Sequence, residues 1–248
     1  WFRSQVEAYF GQSLADCTPD DVTGVDLHMG WHPQGDGKFF YGLNVENGRL
    51  FDSDDRRWKS ALREICAELK PNIRLTGNQS ILLTDLQESA FPQLKEIIQR
   101  NGLPMSEEVS NVRLWSMACV ALPTCGLSIT ESERVLPGVM DQLELELARL
   151  GLEKEAFTVR MTGCPNGCAR PFNADVGLVG KAVGKYTLYL GGQLIGKRLG
   201  VIYKDLVPLE EITSTLLPVL IDFKSNRLPG EPFGDYCHRV GVENLPQS

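Results

Sequence analysis

Four of the chain's seven cysteines fall in two tight pairs, Cys119-x5-Cys125 and Cys164-x3-Cys168. The second pair reads Cys164-Pro165-Asn166-Gly167-Cys168. Pro followed by Asn-Gly is turn chemistry, so the backbone doubles back and both sulfurs can face one centre. Four gathered thiolates repel one another unless a cation or a metal cluster lies between them. Soft thiolate sets select zinc, copper(I) or iron–sulfur. Structural zinc knuckles usually leave about two to four residues between ligands and sit in small, core-poor modules. The x5 spacing is wider, and the surrounding sequence is apolar enough to fold without a metal staple. Spacing therefore favours an iron–sulfur cluster held by four cysteines. Zinc and unliganded core cysteines stay open as the other readings. An odd cysteine count argues against a disulfide framework.

With 248 residues and a 42% hydrophobic content, the chain can bury a sizeable core as one large domain or two small ones. No apolar run is long enough to span a membrane. No basic start precedes an apolar stretch, so no secretory signal is visible. The chain opens on Trp1 rather than Met, as a piece of something longer would. The net charge of −7 makes nucleic acid a poor partner. Between Arg160 and Lys204, however, seven Lys/Arg face one acid, Asp175, and nine of the 24 glycines fall there. That concentration reads either as a solvated basic loop region or as a pocket for a polyanion or small anion approached closely by backbone.

Residues 1–25 read as an amphipathic lead-in helix and a linker, with Thr18-Pro19-Asp20-Asp21 as a turn. Residues 26–105 read as strand, hairpin, helix, strand, strand, helix. A strand is expected over 39–45, a hairpin at Asn47-Gly48, and a helix through Trp58, Leu62, Ile65, Cys66 and Leu69. Strands are expected at 73–76 and 80–83, with a helix around Leu94, Ile97 and Ile98. The order suits a ferredoxin-like sandwich, with Cys66 in its core. Beyond 105, Thr130-x-x-Glu133 looks like a capping box, followed by the helical stripe Leu136, Val139, Met140, Leu143, Leu147, Leu150 and a stop at Gly151. Strands are expected at 157–161, 176–179 and 186–190, and a helix at 210–220. The tail from Pro229 reads as irregular. His28, His32 and His238 lack partners at metal spacing. Trp58 and Trp115 read as packing.

The stretches Met117-Ala118-Cys119-Val120-Ala121-Leu122-Pro123-Thr124-Cys125 and Thr162-Gly163-Cys164-Pro165-Asn166-Gly167-Cys168-Ala169-Arg170-Pro171 resemble the sulfite reductase hemoprotein family, the sirohaem branch of the sulfite and nitrite reductases. The likeness extends through Val176-Gly177-Leu178-Val179-Gly180-Lys181, Leu190-Gly191-Gly192 and Phe233-Gly234-Asp235. Upstream, Glu46-Asn47-Gly48-Arg49 and Asn78-Gln79 also fit, so it covers nearly the whole chain.

The resemblance implies an α+β fold: a ferredoxin-like half-repeat over 26–105, then a mixed α/β domain over 106–248 that binds a 4Fe–4S cluster and sirohaem and ends in an extended tail. It implies cluster ligation by Cys119, Cys125, Cys164 and Cys168, with Cys168 also bridging to the sirohaem iron. Ala118, Asn166, Gly167 and Arg170 would line the cofactors. Backbone N–H groups near Asn166 and Gly167 would bond cluster sulfides, and Arg170 would pair with one of the sirohaem carboxylates. Sulfite would be the substrate, reduced by six electrons to sulfide. Reduced ferredoxin or a flavoprotein would be the donor, in the cytoplasm or the plastid stroma. A nitrite reductase of the same fold and a non-catalytic iron–sulfur module are the alternatives. Gly126 stands where many relatives carry Pro. The family's chains are built from two related halves, and this sequence resembles only the second. Residues gripping the substrate anion lie mainly in the first, so the chain alone is expected to be a poor catalyst. The Asn78-Gln79 turn would face the haem rim or the other half.

Overall fold

The computed structural model describes residues 1–16 and 24–247. Cys17 and the turn expected at Thr18–Asp21 lie outside the described residues. Helix α1 (Phe2–Phe10) forms as expected and ends on left-handed Gly11, but none of its residues is buried.

A first unit follows: β1 (Gly30–Pro33), β2 (Phe39–Leu43), α2 (Trp58–Glu68), β3 (Asn72–Leu75), β4 (Ile81–Leu86) and α3 (Phe91–Arg100). The strand order is β1-β2-β4-β3, with every neighbouring pair antiparallel. Strands β2 and β3 therefore run parallel with β4 between them, joined over α2, which is the split β-α-β of a ferredoxin-like sandwich. Its core gathers Tyr41, Leu43, Ile65, Leu83, Leu94 and Ile97. Each such side chain, fully buried, contributes about 2 kcal/mol of transfer free energy. Trp58 is core, whereas Cys66 is only half-buried.

The second unit holds α4 (Asn111–Leu114), β5 (Met117–Ala118), α5 (Leu136–Leu150), β6 (Val159–Thr162), β7 (Val176–Ala182), β8 (Lys185–Leu190), β9 (Val201–Pro208), α6 (Ile212–Asn226) and α7 (Phe233–Val240). Its sheet runs β5-β6-β7-β8-β9; the first two pairings are parallel and the last two antiparallel. The stripe Leu136, Val139, Met140, Leu143 and Leu147 is buried, and Gly151 closes α5 at φ 68°. These side chains meet Val159, Met161, Val176, Leu178 and the inner faces of α6 and α7 in one core. Among the described residues, no helix is long and apolar enough to cross a membrane.

Three local expectations fail for a tertiary reason, and one strand is not legible at all. Asn47-Gly48 is no hairpin. It forms a 3-10 turn with Asn47 left-handed at φ 52°, because the Asn47 amide reaches out of its own unit to donate to Glu133 O at 3.1 Å. Thr130 and Glu133 do not cap α5, whose N-cap is Val135. The Thr130 hydroxyl instead accepts from Gly184 N–H at 3.0 Å, and Glu133 pairs with Arg49. The tail is not irregular, since α7 packs Phe233 and Tyr236 into the core. Strand β9 was not expected at all. It is an edge strand with exposed Val201 and Ile202, and it lacks the alternation that marks a half-buried strand.

The units are tied by charge as well as by packing. Arg113, 14% exposed, bridges Glu46 of the first unit to Asp141 and Glu144 on α5. Burial works against its charge, but Glu144 and Glu46 outweigh it and hold the guanidinium above its ordinary value.

Candidate cofactor site

Strands β5 and β6 lie parallel, with Met117 opposite Arg160 and Ala118 opposite Met161. Both chains therefore leave the sheet at the same end, where parallel sheets hold their ligands. Cys119 is the first residue past β5, and Cys164 the second past β6. The Cys119 N–H donates to Met161 O at 3.1 Å, and Gly163 N–H donates to Cys119 Sγ at 3.3 Å. The loop after Cys125 is anchored to the same point, with Ile129 and Thr130 N–H both donating to Gly163 O at 2.8 and 3.1 Å. Cys125 closes its turn on Ala121 O at 2.7 Å. Cys164 is buried, Cys119 and Cys125 are half-buried, and Cys168 is exposed. The structure brings the two cysteine loops together and leaves Cys66 on α2 and Cys237 on α7 elsewhere.

Two glycines make this closeness possible. A Cβ on Gly163 would sit 2.0 Å from Ser128 Oγ and 2.5 Å from Thr130 O. One on Gly177 would sit 2.2 Å from Pro171 O, where the chain beyond Cys168 folds back over β7. Only a residue without a Cβ allows that approach.

Two cations of the basic segment are engaged by carboxylates rather than by the anion pocket that was one reading of the sequence. Arg198 binds Asp235 at 2.6 Å and Lys181 lies 3.9 Å from Asp205. Two arginines stay beside the cysteines. Arg170 sits left-handed at φ 56°, two residues after Cys168, with Nη2 donating to Gly77 O and Asn78 Oδ1 at 2.9 and 3.0 Å. Arg160, on β6, is 1% exposed. Its Nη1 donates to Asn173 Oδ1 at 3.0 Å, and its Nε has no partner. Burial, then repulsion from Arg170, pulls its guanidinium well below the ordinary value, to about 10. Asn166 is exposed and Gly167 half-exposed at φ 68°. Ala118 is wholly buried, and Gln79 engages both its backbone N–H and its carbonyl. Beside Cys119, a cleft of about 440 Å³ is lined by Leu50, Leu75, Gln79, Val120 and Glu133. Among the described residues, no three His, Cys, Asp or Glu side chains are placed to chelate a single metal ion. Sequence reasoning counted Arg160 among the basic segment but gave it no role of its own, and it underread Gln79. The one legible sign was a charge set inside the strand run Phe157-Thr158-Val159-Arg160-Met161.

Residues 32–101 match the family described as the nitrite/sulfite reductase ferredoxin-like half domain. Across 99% of its length the chain is 41% identical to a Synechococcus elongatus protein named sulfite reductase (ferredoxin), covering 39% of that protein. Across 98% it is 39% identical to a Staphylococcus carnosus protein named sulfite reductase (NADPH) hemoprotein beta-component, covering 42% of it. Residues 32–101 are thus a nitrite/sulfite reductase ferredoxin-like half domain, and nearly the whole chain is similar to proteins named sulfite reductase. The chain spans about two fifths of the length of these curated relatives. The fold is that of the Mycobacterium tuberculosis NirA protein, with a TM-score of 0.80 at 24% identity over 99% of this chain and 46% of that one. The ferredoxin-like half expected upstream is thus the family's own, and the mixed sheet beyond it continues the same fold.

Proposed function

We propose that this chain is the cofactor-bearing portion of a sulfite reductase hemoprotein, with Cys119, Cys125, Cys164 and Cys168 holding a 4Fe–4S cluster and Cys168 shared with a sirohaem. The observation that carries the reading is the parallel β5–β6 register, which sets Cys119 beside Gly163, the residue before Cys164. When bound, these groups would pass the donor's electrons to sulfite for its six-electron reduction to sulfide.

The donor set and its surroundings fit these groups. Four thiols of graded exposure sit on two loops at one sheet end, and an N–H already points at one sulfur, which is a lever on cluster potential. The most exposed thiol, Cys168, is the one free to reach outward to a second cofactor. Arg160 is a buried cation with no carboxylate among its hydrogen-bond partners, and Arg170 stands next to it. Buried charge is costly unless paired. An anionic cluster and a polycarboxylate haem would supply that pairing. Arg170 would keep Nη2 on the turn at Gly77 and Asn78 and turn the rest of its fork to a haem carboxylate. Asn166 and Gly167 would offer N–H groups to the cluster, and Ala118 would hold Cys119 in place.

The substrate is sulfite, the electron donor reduced ferredoxin or a flavoprotein, and the remainder of the pocket comes from the rest of a longer polypeptide. The test is anaerobic reconstitution of the chain with iron, sulfide and sirohaem, followed by absorption spectra, acid-labile sulfide assays and methyl-viologen-linked turnover of sulfite and of nitrite. The expected result is a cluster on the chain alone, weak haem retention, and sulfite turnover that appears only when the other half is added. No acid-labile sulfide would end the cluster reading. Preferential nitrite turnover would reassign the substrate. Full turnover by the isolated chain would show that the pocket needs no second half.

A further inference from the structure

One turn of the first unit touches both cysteine loops. Residues 76–80 link β3 to β4, and the Thr76 hydroxyl stiffens the turn by accepting from Asn78 and Ser80 N–H at 3.3 and 3.1 Å. At its tip Gln79 is held left-handed at φ 62°, a strained conformation for a residue with a side chain. Its Nε2 donates to Ala118 O at 2.7 Å, and its Oε1 accepts from Ala118 N–H at 3.2 Å. The amide thus completes the free edge of β5 as another strand would, one residue before Cys119. The same turn receives Arg170, also left-handed, through Gly77 O and Asn78 Oδ1, two residues past Cys168. Two non-glycine residues in left-handed backbone, Gln79 in the turn and Arg170 in the loop that reaches it, mark a site where geometry is enforced at a cost in stability.

We propose that the 76–80 turn is a brace that fixes the separation of the two cysteine loops, and that Gln79 is a positioning residue for Cys119. The consequence for a bound cluster rests on the reading under Proposed function; the brace itself is a property of the folded chain. Replacing Gln79 by Met keeps length and removes both hydrogen bonds. Ile97, buried in the first unit's core and remote from both loops, provides a stability-matched control as Ile97→Val.

The experiment uses the full-length protein in two arms. In the cofactor-free protein, alkylation of Cys119 is followed by mass spectrometry. In the reconstituted protein, cluster loss to an iron chelator and the cluster's reduction potential are followed. Gln79→Met is expected to speed Cys119 alkylation and cluster loss about tenfold, the equivalent of about 1.4 kcal/mol of easier local opening, and to move the potential. Ile97→Val should lower the unfolding midpoint and leave all three unchanged. Unchanged alkylation in Gln79→Met, or an equal rise in Ile97→Val, overturns the brace. Absence of any cluster in the wild type overturns the functional reading alone, because the alkylation arm still decides the brace.

Discussion

Arg160 should be a liability to the chain without its cofactors. It is 1% exposed, its Nε has no partner, and burial draws its guanidinium down to about 10. At about 1.4 kcal/mol per pH unit, that depression amounts to about 3 kcal/mol of instability carried at neutral pH. The sign follows from linkage. The unfolded chain holds this proton more tightly than the folded one, so the cost is complete below about pH 10 and is relieved only as pH rises toward the ordinary guanidinium value. Arg160→Met removes the charge and keeps most of the volume. It also leaves Asn173 Oδ1 without its donor at 3.0 Å, a loss of about 1 kcal/mol. The net expectation is a gain of about 2 kcal/mol, or a rise in melting temperature of about 4–8 °C for a chain of this size. Calorimetry of the cofactor-free chain measures it directly. The same substitution should weaken retention of an anionic cofactor, which separates a cation kept for a ligand from one kept for folding. Destabilisation by more than about 1 kcal/mol would refute the reasoning, because Arg160 would then be satisfied within the fold.

Other outcomes follow from the same geometry. Cys125→Ser should lose iron and acid-labile sulfide on reconstitution, whereas Cys66→Ser and Cys237→Ser should retain both, as read by colorimetric assay. Gly163→Ala forces a Cβ to 2.0 Å from Ser128 Oγ and should cost about 1–3 kcal/mol in urea unfolding. The Cys237 thiol is pushed far above its ordinary range by burial, with Asp175 adding to the effect, so it should resist alkylation at pH 8 while exposed Cys168 reacts. Arg170→Ala should lower sirohaem occupancy after gel filtration several-fold, with the loss muted by the solvent around this exposed side chain.

Much of this was legible where one residue's neighbours in sequence are also its neighbours in space. The stripe from Leu136 to Leu147 and the stop at Gly151 are local facts of a helix, and both hold. So are the strands around Gly77-Asn78-Gln79 and the close spacing within each cysteine pair. What failed depended on distant partners. Asn47 and Glu133 are 86 positions apart, and nothing in either local pattern announces that one will hold the other. Thr130 forgoes a cap for Gly184, 54 positions on. The brace joins Gln79 to Ala118 across 39 positions and Asn78 to Arg170 across 92, so two ordinary polar residues acquire a purpose only in the fold. The expectation that the two pairs converge came from chemistry, since thiolates need a reason to cluster. The strand register that sets their two loops side by side could not be read.

That register also imposes an order of events during synthesis. Among the described strands β5 pairs only with β6, and all of α5 lies between them, so the first two thiols leave the ribosome with no sheet to join. The second pair begins at Cys164, 39 positions after Cys125. At about 5–20 residues per second the first pair waits several seconds for its counterpart. During that interval its sulfurs are loose thiols on an unpaired segment, open to oxidants and to adventitious metals. The two cysteine loops meet only once the helix and β6 are in place. Whatever they hold must therefore be delivered to a finished sheet, and the quality of the redox environment around the nascent chain decides how many molecules are fit to receive it.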